Sequence, residues 1–160
     1  MKKYILISAL STVFSHSALA MEQGEFTLDL NGFSKHSKST YLENGTRHTY
    51  NETNPGLGVS YAYRDHLDIR VGGFENSYHR DSVYAGIHLH KDYYFGDWTI
   101  APGLNVFLIS GYENRTDVPA ILLPSLTLGH NAVKINIGIL PFGDEASVAT
   151  FQLQLNFKYF

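Results

Sequence analysis

From Glu25 onward the chain consists of short stretches that are apolar on every second residue and are separated by polar turns. Leu67, Ile69, Val71 and Gly73 alternate with Asp68, Arg70, Gly72 and Phe74, and Val83, Ala85, Ile87 and Leu89 alternate with Tyr84, Gly86, His88 and His90. Val133, Ile135, Ile137 and Ile139 interleave with Lys134, Asn136 and Gly138, and the last stretch repeats the pattern from Phe151 to Tyr159. Successive side chains on a strand point to opposite faces, so each stretch predicts a strand with one greasy and one wet face. The pattern predicts eight strands: 25–35, 54–63, 67–76, 82–93, 98–110, 118–128, 132–140 and a last one running to Tyr159. Tight turns at Arg64-Asp65-His66, Gly96-Asp97 and Gly129-His130-Asn131 alternate with longer polar connections at 36–53, 77–81, 111–117 and 141–147. An even strand number with alternating short and long connections is the signature of an up-and-down membrane barrel. Segments of about 9–11 residues suit a tilted crossing of the hydrocarbon layer. Eight strands enclose an interior that side chains or one small ligand can fill.

The first residues set the compartment. Lys2 and Lys3 precede an apolar run from Tyr4 to Phe14, which closes on Ala18-Leu19-Ala20. A charged start, a short apolar core and a small-x-small ending read as a cleaved secretory signal peptide over 1–20, leaving 21–160 as one barrel domain. The apolar run is too short for a transmembrane helix. The chain contains no cysteine, so an exported domain of this size needs stability from something other than disulfides. A closed barrel in a membrane supplies it by pairing every backbone polar group within the wall. The expected place is a bacterial-type outer membrane. A formal net charge of −3 provides no basic footprint for nucleic acid, while 11 tyrosines and 10 phenylalanines suit interfacial girdles.

Pro124 falls inside the sixth predicted strand and Pro141 ends the seventh. Proline cannot donate to a ladder, so each weakens pairing where it sits, as a wall opening, a bulge or a loop start. His88 and His90 share a strand face, but two histidines without a third ligand favour an interior hydrogen-bond network over a metal. Asp68, Arg70, Gln152, Gln154 and Lys158 are the expected partners of that network, because unpaired charges inside a barrel are costly.

The segment Val118–Phe160, with its Val-Pro-x-x-Leu-Leu-Pro run and the spacing from Pro124 to Pro141, resembles the C-terminal half of the lipid A palmitoyltransferases (PagP). The first half matches in order through Lys35-His36-Ser37-Lys38, Tyr50-Asn51-Glu52, Gly56, Gly58 and Phe74-Glu75-Asn76-Ser77. The resemblance implies an eight-stranded antiparallel outer-membrane β-barrel that moves an acyl chain from a phospholipid donor to lipid A or a related acceptor. It implies that His36, Asn76 and Ser77 carry the chemistry at the outer rim, and that Pro124 and Pro141 flank a lateral gateway for lipid. The imidazole would take a proton from the attacking hydroxyl, with Ser77 positioning or attacking and Asn76 orienting the ring. No cofactor and no metal are implied, and the partners are membrane lipids and the outer-membrane assembly machinery, with the chain a monomer. Three departures stand out: Asn76 replaces the family aspartate, 21–24 leave no room for an N-terminal amphipathic helix, and His88 replaces the glycine at the floor of the acyl pocket. The alternatives are a non-catalytic small outer-membrane barrel of structural, adhesive or envelope-protective type, and a soluble exported lipid-binding barrel. Read without the resemblance, His36 and Ser77 are ordinary polar loop residues.

Overall fold

The computed structural model describes residues 23–112, 120–140 and 147–157. They form β1 (Phe26–His36), β2 (Thr40–Glu43), β3 (Thr46–Thr49), β4 (Thr53–Arg64), β5 (Leu67–Glu75), β6 (Asp81–His90), β7 (Tyr93–Phe95), β8 (Trp98–Ile109), β9 (Ala120–His130), β10 (Val133–Leu140) and β11 (Val148–Asn156). The main sheet runs β6-β5-β4-β1-β11-β10-β9-β8, and an antiparallel β6–β8 pairing closes it. The protein is thus a closed eight-stranded antiparallel barrel, as the alternation predicts, with no α-helix among the described residues. The signal segment 1–20, Pro141 and the chain end Lys158–Phe160 lie outside the described residues.

The polarity is inside out. Asp29, Ser60, Asp68, Arg70, His88, Asn105, Asn136 and Gln154 are buried in the interior, whereas Leu57, Val71, Val83, Leu108, Leu122 and Ile139 are exposed on the outer wall. A protein in water would hide the second set and expose the first, so the solvent of the outer wall is hydrocarbon. Tyr93, Phe95 and Trp98 gather on the outer wall beside the short turns, as an interfacial aromatic girdle does.

Two departures from the expected elements have local causes. The polar stretch after β1 contains a hairpin, β2–β3, paired from Thr40↔Thr49 to Glu43↔Thr46. Its turn is Asn44-Gly45, both at positive φ (50° and 78°), the sequence and backbone of a two-residue hairpin turn. The predicted strand 82–93 breaks at Lys91-Asp92. Pro102 of β8 stands opposite and has no N–H to offer, so pairing skips from His90↔Gly103 to Tyr93↔Ile100.

A third irregularity positions the site. In β1, Thr27 and Asp29 are buried, so strict alternation would turn the later even-numbered residues toward lipid. The register shifts between Asn31 and Phe33 against both β4 and β11, leaving Gly32 as the extra residue. This bulge changes the phase: Phe33 is exposed outward, and Ser34 and His36 become buried.

Candidate functional site

The end of the barrel nearest the short turns is filled by a polar plug. Asp29 is fully buried and accepts hydrogen bonds from Ser60 Oγ (2.5 Å) and Gln154 Nε2 (2.9 Å). Asp68 lies 3.3 Å from His88 Nδ1, 3.4 Å from His90 Nε2 and 3.9 Å from the Arg70 guanidinium. Arg70 donates to Asn105 Oδ1 (3.2 Å), Gln152 Oε1 (3.3 Å) and His88 Nδ1 (3.1 Å). A guanidinium can only donate and a carboxylate only accept, so with His88 Nδ1 accepting from Arg70 its approach to Asp68 is not a hydrogen bond, and the ring proton sits on Nε2, 3.3 Å from Ser125 Oγ. The expected interior network therefore exists around Asp68, Arg70 and Gln152, with Asn105 and Ser125 as members that alternation alone does not reveal. The expectation that His88 and His90 lack a third ligand needs correction, because Asp68 brings its carboxylate to them and all three ligand atoms lie within 4.8 Å. These atoms are already partners of one another and of Arg70, whose positive charge opposes a cation there.

Above the plug lies a chamber of about 490 Å³, within the size range of small-molecule sites. Arg70, Asn105, Asn136 and Gln152 form its inner end, Phe74, Tyr84, Phe107, Ile121 and Leu123 contribute to its walls, and Ser34, His36, Tyr50, Ser77, Tyr78 and Tyr112 line the end nearest the long loops. The small residues Gly58 and Gly72 create one wall. A Cβ at either would collide with the Tyr84 ring, so the glycines let that ring lie flat over β4 and β5. His88 is not among the lining residues; it sits beneath the floor and supports Arg70 from below. Its expected contact with a bound chain is therefore replaced by an indirect one, because its two ring nitrogens are committed to Arg70 and Ser125.

Pro124 has the effect on pairing that its chemistry predicts. It is matched with Leu104 on β8, but the β9–β10 ladder ends at Gly138↔Ser125, although β10 continues to Leu140. Among the described residues, Ile139 and Leu140 have no partner on β9. Ile121, Leu122, Leu123 and Leu140 beside this break all line the chamber, so the unpaired stretch borders the cavity.

At the loop end His36 is 6% exposed and stacks on Tyr50 with ring centroids 4.1 Å apart and planes 7° from parallel. Its backbone N–H donates to Glu52 Oε1 (3.3 Å), and Lys35 holds the other Glu52 oxygen at 2.8 Å. Outward-facing Lys35 marks where β1 leaves the hydrocarbon, so His36 lies above it. Burial lowers the His36 pKa below its ordinary value, with Glu52 pulling it up and Lys35 pushing it further down. The hydrogen bonds from Lys35 and from the His36 backbone hold Glu52 below the ordinary carboxylate range. His36 Nδ1 is buried without a hydrogen-bond partner among the described residues. Ser77 is buried, with its Oγ 3.4 Å from Ser34 Oγ. His36 and Ser77 both line the chamber.

Asn76 does not join them. Its amide donates to Ser82 Oγ and Gly111 O, both at 2.9 Å, and its Oδ1 accepts from the backbones of Tyr78 (2.8 Å) and Arg80 (3.2 Å). An orienting hydrogen bond from Asn76 to the His36 ring is therefore replaced by loop-building bonds, and Tyr50 and Glu52 hold the histidine instead. The hairpin β2–β3 closes over this end: Tyr41 packs on Tyr50 and edge-on to Tyr78, which meets Tyr112. Glu43 of the hairpin accepts from Arg80 at 2.7 Å. Burial pushes the Tyr112 phenol up to about 12.

No protein-family model matches the chain, and no curated protein matches it. Among solved structures the chain is similar to the backbone structure of the Yersinia pestis outer membrane protein Ail in a phospholipid bilayer nanodisc. That likeness has a TM-score of 0.42 and 10% identity, over 84% of this chain and all of the other. At this level it carries no argument about the site.

Proposed function

We propose that the protein is a bacterial outer-membrane acyltransferase that moves an acyl chain from a phospholipid to lipid A or a related acceptor. The observation that carries the reading is the interior chamber, with His36 and Ser77 in its lining and the β9–β10 break beside it. A closed wall bars a lipid tail from the interior, whereas an unpaired stretch flanked by aliphatic side chains admits one from the membrane. The resemblance in the proline run supports the same use of Pro124. In the proposed reaction the His36 imidazole takes the proton of the acceptor hydroxyl as that oxygen attacks the phospholipid ester carbonyl. The old ester C–O bond breaks, the lysophospholipid oxygen leaves with the proton, and a new ester joins chain and acceptor. Ser77 binds the ester. Segment 1–20 directs export, the outer-membrane assembly machinery inserts the monomer, and the long loops face outside.

A second reading, a non-catalytic barrel that only holds a lipid chain, is favoured by one observation: Asn76 is used up in its loop and leaves His36 without a second polar orienter at the ring. Mass spectrometry of lipid A from a Gram-negative host expressing the protein separates the two. The transferase reading expects lipid A heavier by one acyl chain, lost in Ser77→Ala and in His36→Asn. Unchanged lipid A and unchanged phospholipid esters, with the barrel folded in the membrane, support the second reading.

A further inference from the structure

The break between β9 and β10 leaves backbone acceptors without donors. On an antiparallel strand, alternate residues turn both N–H and C=O toward one neighbour, and the residues between turn theirs toward the other. Asn156 N–H donates to Ala132 O at 3.0 Å, so even-numbered residues of β10 face β11 and odd-numbered ones, Ile139 among them, face β9. Asn131 N–H donates to Asp97 O at 3.3 Å, so odd-numbered residues of β9 face β8, while Leu122 and Pro124 face β10. The register that ends at Gly138↔Ser125 puts Ile139 opposite Pro124, and proline has no N–H for the Ile139 carbonyl. Two residues back along β9, Leu122 faces a strand that ends at Leu140. The next residue, Pro141, lies outside the described residues and is again a proline with no N–H. The Ile139 and Leu122 carbonyls thus point into the break with no donor among the described residues. An acceptor left unpaired in a wall that borders lipid costs free energy, which a donor recovers. Ile139 is next to the end of β10, and Leu122 is near the start of β9. The two carbonyls therefore sit at the loop-end rim, where headgroups meet the wall, and Ile139 shares a ladder row with Lys35 through Ala149.

We propose that the break is a lipid headgroup site, in which the Ile139 and Leu122 carbonyls accept hydrogen bonds from a headgroup that carries N–H or O–H donors. A primary ammonium suits it best, because it brings three donors and a positive charge to carbonyl oxygens. A quaternary ammonium has no hydrogen to give. The site adds to the proposed entry of a lipid chain the headgroup held at the entrance, and it does not require that acyl transfer occurs.

The test uses the full-length protein in nanodiscs of phosphatidylcholine, alone or mixed with phosphatidylethanolamine or phosphatidylglycerol of the same acyl chains. Leu122-Leu123 is the sole Leu-Leu pair in the sequence, so carbonyl-13C, amide-15N leucine isolates the Leu122 carbonyl. Carbonyl-13C isoleucine with amide-15N leucine reports Ile139, assigned by its loss in Ile139→Val. The same label reports Ile121, which faces Phe107 on β8 and serves as the paired control. The expectation is that both orphan carbonyls shift downfield when the donor lipid is added and that Ile121 does not. A response to phosphatidylethanolamine alone identifies the ammonium, and a response to both lipids identifies any donor. Pro124→Ala supplies the missing N–H, so the Ile139 signal shifts in every lipid and stops following the headgroup, while Leu122 still follows it. Carbonyl signals alike in all three lipids, as when water alone solvates them, overturn the inference, as does an Ile139 signal that still follows the headgroup in Pro124→Ala. Uptake of a fluorescent acyl probe is read on the same samples. Responding carbonyls without uptake uphold the headgroup site and overturn chain entry, whereas uptake with unresponsive carbonyls does the reverse.

Discussion

Val71→Arg tests whether the outer wall faces hydrocarbon. Val71 is the central residue of β5 and is 51% exposed on the outer wall. It is matched with Val59 on β4 and Ala85 on β6, and Ala85 is matched with Leu108 on β8. This row is apolar, so an arginine at its centre finds no carboxylate to pair with. Its distance from both strand ends limits how well the guanidinium can reach a headgroup. At the midplane of a barrel in lipid such a substitution costs about 2–4 kcal/mol, which is roughly a 30- to 1,000-fold loss in the folding equilibrium. Were the same wall in water, exchanging a half-exposed valine for arginine would change stability by about 0.5 kcal/mol or less. The assay is urea unfolding in phospholipid vesicles, followed by Trp98 fluorescence and by the fraction of compact, heat-modifiable protein on gels. Lys35→Arg, on a side chain 71% exposed at the loop end, is the control and leaves the midpoint unchanged. A Val71→Arg shift under about 0.5 kcal/mol, with the protein folded in buffer without lipid, refutes the inside-out argument.

Five further outcomes follow from the site. His36→Asn removes the base and lowers acyl transfer about 10²- to 10⁴-fold without unfolding the barrel, read from initial rates of lipid A acylation. Because burial lowers the His36 pKa and the neutral ring is the working form, transfer rises as pH increases through a midpoint below 6.5 and is level above 7; a profile rising only above pH 7 contradicts this role. Asn76→Ala removes the hydrogen bonds to Ser82 Oγ, Gly111 O and the backbone N–H groups of Tyr78 and Arg80, and lowers stability by about 1–3 kcal/mol in urea titrations. Gly58→Val drives a side chain into Tyr84 and costs about 1–3 kcal/mol through overpacking, while shrinking the chamber and reducing the uptake of a fluorescent acyl probe. Arg80→Ala frees Glu43 and speeds hydrogen exchange of β2–β3 amides, with global stability changed by about 1 kcal/mol or less because the pair is partly exposed.

The alternation of apolar and polar residues determined the barrel, because side-chain direction on a strand is a local property with a period of two. The wall strands, the short turns and the burial of Asp68, Arg70 and His88 all follow from it. The hairpin at Thr40–Thr49 was also within reach, since Asn44-Gly45 is a turn signal in its own right, but its flanks lack apolar alternation and the polar composition masked it. What only the tertiary structure decided is non-local. The bulge at Gly32 exists because β1 must match two neighbours at once, and it alone turns Ser34 and His36 inward. Pro124 is compatible with a paired strand on its β8 side, so its cost falls only where β10 would need its missing N–H. Asn76 carries the same side chain whether it orients a histidine or builds a loop, and the positions of Ser82 and Gly111 selected the loop. The bond from Arg70 to Gln152 spans 82 positions of chain. No local pattern records such a distance, so the fixed guanidinium comes into being only when the barrel closes.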